Sequence, residues 1–136
     1  MYKTTRFSLE THSGAYDSWP TRSCLIVDGT RSNLPVAGYI VQRQYETAAG
    51  YLLITNFDCP FEEAVSFVLI ARDLSRVLAE RTIAVTYSSV HLVDVAWIDE
   101  WHFSVTFAGM RGEWMFKIRR WSLPLIRSRF EMKRIR

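Results

Sequence analysis

VHLVDVAWIDEWHFSVTFAGMRGEWMFKIRR, residues 90–120, is the stretch that decides the fold. Three runs rich in β-branched and aromatic residues are separated by two short connections, Asp99-Glu100 and Gly109-Met110-Arg111-Gly112. That is the pattern of antiparallel strands joined by tight turns. Pairing Ile98 with Trp101 sets Ala96 opposite Phe103 and Leu92 opposite Phe107. Pairing Ala108 with Glu113 sets Phe107 opposite Trp114, Val105 opposite Phe116 and Phe103 opposite Ile118. In this register Leu92, Ala96, Ile98, Trp101, Phe103, Val105, Phe107, Trp114, Phe116 and Ile118 share an apolar face. His102, Ser104, Thr106, Lys117 and Arg119 share the polar one. Side chains alternate with a period of two, so a one-residue slip would move a whole strand to the other face. Asp94 is the exception: it falls on the apolar face opposite Val105, where an unpartnered carboxylate is costly. It reads as a rim residue, an ion-paired group, or an acid lining a pocket.

Working back toward the N-terminus, residues 36–45, 51–57, 65–72 and 77–83 read as further strands, the last two joined by the polar tip Asp73-Leu74-Ser75-Arg76. Residues 51–83 and 90–120 each read as three strands, giving two blade-like units. Two units cannot close a propeller, which needs about four blades. The expected fold is therefore all-β, with at most one short helix: an antiparallel meander closing as a small barrel or a sandwich. Residues 1–33 hold 10 Ser and Thr and turn formers at Ser13-Gly14 and Asp28-Gly29. They are expected to be the least regular part, with short strands at 4–9 and 22–27 and with Phe7, Tyr16 and Trp19 packed over the core.

The chain has 136 residues, the size of one domain, and a hydrophobic fraction of 49%, too high for a disordered chain. The organisation expected is a single domain over 1–136: an irregular start over 1–33, a β-meander core over 34–120 and a basic segment over 121–136. No hydrophobic leader and no stretch long enough to span a bilayer is present, so a cytoplasmic location and no membrane partner are expected. Two cysteines, Cys24 and Cys59, are too few for a disulfide scaffold and read as reduced, buried thiols.

Charge is unevenly spread. Residues 1–110 carry 8 basic and 12 acidic side chains, whereas residues 111–136 carry 9 basic and 2 acidic. A dense basic segment favours an acidic partner. Within it, residues 122–124, Ser-Leu-Pro, suit the cap of a terminal helix, while the alternation of Ile126, Ser128, Phe130 and Met132 suits a last strand; strand or irregular structure is slightly favoured.

Chemical motifs are missing: there is no glycine-rich phosphate loop, no Gly-x-Ser-x-Gly, no His-Glu-x-x-His and no Cys-x-x-Cys. His91 and His102 lie roughly 20 Å apart along their hairpin, too far to share a metal. His12 adds no ligand spacing, so no metal and no cofactor is expected. The loop Asp58-Cys59-Pro60-Phe61-Glu62-Glu63 is the one small-site candidate, its acids suited to hold a cation or move a proton. A capped turn, with Asp58 accepting backbone N–H groups before Pro60, is the favoured explanation of it. Trp97 projects away from the apolar face with Val93 and Val95, a strip that is either an interface or core beneath a second sheet.

The leading expectation is a non-enzymatic protein-binding module, of the inhibitor or immunity type, docking on a protein partner or on a second copy. Its contact residues are Val93, Val95 and Trp97, together with His102, Lys117, Arg119, Arg127, Arg129, Lys133 and Arg134. Nucleic-acid binding through the basic segment is the alternative. A ligand or enzymatic site near Asp58, Cys59 and Glu62, with Asp94, is the third.

Overall fold

A computed structural model describes residues 1–57, 63–85, 88–120 and 129–136. The strands are β1 (Tyr2–Lys3), β2 (Phe7–Leu9), β3 (Arg22–Val27), β4 (Thr30–Ala37), β5 (Ile40–Thr47), β6 (Gly50–Asn56), β7 (Val65–Ile70), β8 (Val77–Ile83), β9 (His91–Trp97), β10 (His102–Ala108), β11 (Glu113–Ile118) and β12 (Phe130–Arg134). They form three antiparallel sheets, ordered β1-β5-β6-β7-β8, β12-β11-β10-β9 and β2-β3-β4. The fold is all-β and sandwich-like, not a closed barrel. Among the described residues the one helical element is a 3-10 turn, Tyr16–Ser18.

The five-stranded sheet is the middle layer. Every side chain of β7, and all of β6 but Asn56, is buried. Such unbroken apolar runs belong to strands covered on both faces. Leu52, Ile54, Val65, Phe67 and Leu69 face the four-stranded sheet and pack with Phe103, Val105, Phe107, Phe116, Ile118 and Phe130. Tyr51, Leu53, Val68 and Ile70 face the other way, onto Phe7, Leu9, Leu25 and Val36 of the small sheet. Phe67 is the centre of the first core: its ring stacks on Phe116 at 4.2 Å and on Phe103 at 6.0 Å, and meets Phe107 edge-on at 6.3 Å.

Residues 90–120 do form three strands, but the register between β9 and β10 differs from the one expected. Trp97 pairs with Phe103, Val95 with Val105 and Asp94 with Thr106, after which the ladder shifts and Leu92 pairs with Phe107. Val93 is the extra residue of a β-bulge. The bulge reverses the faces over 94–97: Val95 and Trp97 turn inward and pack on the core, while Ala96 and Ile98 are exposed. It also removes the Asp94 anomaly, because Asp94 now lies on the outer face in solvent. Between β10 and β11 the offset is two residues, with Phe103 opposite Phe116 and not Ile118, so the expected faces survive.

The N-terminal third is more regular than its composition suggests. β3 and β4 form a hairpin through Asp28-Gly29, both at positive φ (50° and 81°), the two-residue turn that matches strand twist. The strand expected over 36–45 is two strands of different sheets, broken at Gly38-Tyr39. Gly38 has φ +102°, and a Cβ there would lie 2.3 Å from the Thr55 hydroxyl. Phe7 packs in a core as expected; Tyr16 and Trp19 instead gather elsewhere. The last strand, β12, bears out alternation over 130–134. The expected cap at 122–124, and Trp121 and Arg127, lie outside the described residues.

Candidate functional site

The reversal at Gly38 projects Tyr39 out of the sandwich, toward the irregular segment 10–21. The rings of His12, Tyr16, Trp19 and Phe57 surround it with centroids 5.2, 5.8, 5.3 and 5.3 Å away. The contacts are mostly edge-to-face, the arrangement aromatic quadrupoles prefer. Polar atoms fix the rings in place. The Tyr39 hydroxyl donates to the Pro20 carbonyl at 2.7 Å, the Trp19 indole N–H donates to Ser13 at 3.1 Å, and the Ser18 hydroxyl donates to Ala15 at 2.6 Å. Beside them opens a cleft of about 190 Å³, lined by Glu10, Thr11, His12, Trp19, Tyr39 and Ile40. Tyr16 and Ile40 are 41% and 43% exposed, so the cluster presents apolar surface to solvent.

His12 and Ser23 resemble two parts of a nucleophilic site, but their hydrogen bonds run the wrong way. The Ser23 hydroxyl donates to the Gly38 carbonyl at 2.6 Å, so the His12 Nε2, 2.8 Å from Ser23 Oγ, acts as the donor. Ser23 is fully buried. A serine nucleophile needs its base to accept that proton. The pair clamps segment 10–21 to the sheet instead.

The residues singled out from the sequence are dispersed. The Val93–Val95–Trp97 strip does not exist as one surface. Val95 and Trp97 face the core, the Trp97 ring 4.8 Å from Phe103 and 5.2 Å from Tyr45. Val93 is 57% exposed at the bulge. Trp97 pairs with Phe103 and not with the expected His102; on the β11 side His102 pairs with Lys117, and its Nδ1 lies 2.8 Å from Asp99. The Asp99 carboxyl is held below the usual carboxylate range, first by the Trp101 backbone N–H and then by His102. His91 lies opposite Ala108, as expected, and is exposed.

Much of the basic segment is engaged within the domain. Arg119 pairs with Glu131 at 2.7 Å and Arg136 with Glu113 at 3.4 Å. Arg129 and Arg134 donate to the carbonyls of Arg120 and Arg136. The Arg120 guanidinium lies 4.9 Å over the Trp101 ring. Lys117 and Lys133 are exposed on the outer face, where the ladder also places Asp94, Glu113 and Glu131. That face is of mixed sign, not uniformly basic.

Glu63, one acid of the small-site loop, is buried, and its Oε1 accepts the backbone N–H of Phe57 at 2.6 Å. It therefore fastens the loop. Asp58, Cys59 and Glu62 lie outside the described residues. Cys24 directs its thiol to the Ser32 carbonyl. No three His, Cys, Asp or Glu among the described residues converge on a metal-sized site, and no helix there is long and apolar enough to cross a membrane.

The aromatic cluster escaped the sequence reading because its members come from three places in the chain with no common period. The only local signal was the density of Tyr16 and Trp19 in a segment that is not a strand. No family model, curated protein or solved structure matches the chain.

Proposed function

We propose that the chain is a non-enzymatic protein-binding module, of the kind that inhibits or neutralises a partner protein, and that it docks through the aromatic cluster around Tyr39. One observation carries this reading: five rings, two of them Tyr and one Trp, pack into a partly exposed array beside Ile40, with His12, Tyr16, Trp19 and Tyr39 also held by hydrogen bonds. Tyr and Trp dominate the energetically decisive centres of protein interfaces. They supply large contact area with few rotatable bonds. Prior ordering of the rings lowers the entropy cost of docking.

The test is comparative capture from the native host, with light scattering to detect self-association. A partner held by the parent protein and lost by the Tyr16→Ala/Ile40→Asp variant supports the reading. A strictly monomeric protein that retains no partner at low salt, or a partner held equally by that variant, overturns it.

Nucleic-acid binding through residues 111–136 is the second reading, favoured by the exposed Lys117 and Lys133 on adjacent strands. It requires retention on DNA or RNA that falls steeply with salt. Internal pairing of Arg119 and Arg136 reduces the charge available for it.

A further inference from the structure

At the end of the five-stranded sheet away from the aromatic cluster, three arginines from two parts of the chain line one open cleft. Arg72 and Arg76 come from the β7–β8 turn, and Arg129 from the residue before β12. The cleft has a volume of about 430 Å³, and its remaining walls are Ala49, Ala71, Leu78, Ser75 and Asp73. We propose that this cleft binds a chain of phosphoryl groups, such as a triphosphate.

The charge balance favours an anion: three guanidiniums face Asp73 in the lining and Glu46 beside Arg72, while Glu100, also within reach of Arg72, is paired with the N-terminal ammonium. The Asp73 carboxylate is oriented by Ser75 and keeps its charge, which Arg76 offsets. Asp73 Oδ1 accepts from the Ser75 backbone N–H at 3.0 Å and from the Ser75 hydroxyl at 2.6 Å. The guanidiniums keep donors to spare. Arg72 uses one Nη on the Thr47 carbonyl at 2.6 Å and meets Glu46 only at 3.8 Å. Arg129 uses one Nη on Arg120. No salt bridge or side-chain hydrogen bond joins Arg76 to any described residue. Planar guanidinium forks match phosphate oxygens two at a time, which is why arginine outperforms lysine at such sites.

The lining also says which part of a ligand is recognised. It contains no aromatic ring, so nothing there stacks on a base, the usual anchor of single-stranded nucleic acid. It is also larger than one phosphate needs. A linear phosphate chain satisfies both conditions, whether free or carried by a nucleotide. This site is independent of the aromatic cluster and stands or falls separately from it.

The experiment is calorimetric titration of the whole chain with sodium tripolyphosphate at low salt, repeated with ATP and with a 12-nucleotide single strand. Saturable 1:1 binding of tripolyphosphate is expected. Arg76→Ala/Arg129→Ala should weaken it at least about tenfold, the loss of charge-assisted bonds, while Lys117→Ala/Lys133→Ala leaves it unchanged. Circular dichroism establishes that each variant folds. Equal affinity for ATP assigns recognition to the phosphates of either source, and tighter ATP binding points to the nucleotide as the natural carrier; both support the site. Absence of saturable binding, insensitivity to the Arg76/Arg129 pair, or binding of the oligonucleotide alone overturns the proposal.

Discussion

The side-chain amide of Gln44 pairs with both backbone groups of Phe7, accepting from its N–H through Oε1 at 2.9 Å and donating to its carbonyl through Nε2 at 3.0 Å. Arg6 and Glu10 turn their backbone groups toward the β3 side, bonding Asp28 and Cys24. Phe7 therefore faces the open side of β2, and a glutamine from β5 completes the ladder as a neighbouring strand would. Gln44→Leu strands two partly buried backbone groups and should cost about 1–3 kcal/mol. Gln44→Glu should cost at least as much, because it sets a carboxylate against the Phe7 carbonyl. Urea unfolding measures both.

Phe67→Ala should be the most damaging single truncation. The ring is fully buried and touches phenylalanines from β10 and β11. Phe-to-Ala changes in such sites cost about 3–5 kcal/mol, a large share of the stability of a small domain. Phe67→Leu should recover much of that loss in the same assay.

The bulge can be tested by deletion. Removing Val93 restores plain alternation, with Leu92 and Val95 still inward and Asp94 still outward. The deletion should fold, at a cost of about 1 kcal/mol or less. It also straightens an exposed edge strand whose bulge discourages pairing with other chains. Light scattering should accordingly find more self-association in the deletion than in the parent.

Ile40→Asp changes an exposed side chain and should shift stability by no more than about 0.5 kcal/mol, whereas Tyr16→Ala also loses ring contacts with Trp19 and Tyr39 and should cost about 1 kcal/mol. Trp19→Ala, half-buried in the same cluster, should also perturb the fold. If the cluster is the docking site, the first two variants weaken partner binding by about 2 kcal/mol or more, roughly thirtyfold, and Ile40→Asp does so without a change in melting temperature.

Acid should destabilise the protein. Asp28 is held below its ordinary value chiefly by hydrogen bonding to the Arg6 guanidinium, Asp73 by Ser75, Asp99 by the Trp101 N–H, and Glu100 by the N-terminal ammonium. Each folded-state value lies below the unfolded one. Their contribution is thus complete above about pH 5 and is lost as pH falls below about 4 and through the depressed values. Urea midpoints measured between pH 7 and pH 3 should fall over the acidic part of that range, and Asp28→Asn should flatten the slope.

Strand identity was legible wherever β-branched and aromatic runs met turn residues. β8 occupies the residues expected for it, and β9 to β11 follow the three runs of residues 90–120. Register was not legible at Val93, because valine suits either face of a strand and nothing local marks it as the extra residue. That single ambiguity moved Trp97 from core to surface and turned Asp94 into an apparent anomaly. The third layer was not expected from the sequence, although β6 and β7 carry unbroken apolar runs that one covered face alone does not require. The aromatic cluster was hidden for a different reason: Tyr39 reaches His12 and Trp19, and Phe57 reaches Tyr39, only after the sheets have stacked.

Because alternate side chains of β6 and β7 belong to opposite cores, neither outer layer has a foundation of its own. Loss of the middle strands would expose both of their faces at once, so no half of the molecule is left to persist alone. Disassembly should run as one event, and the slowest backbone amides to exchange with deuterium should be those of Leu52–Ile54 and Phe67–Leu69.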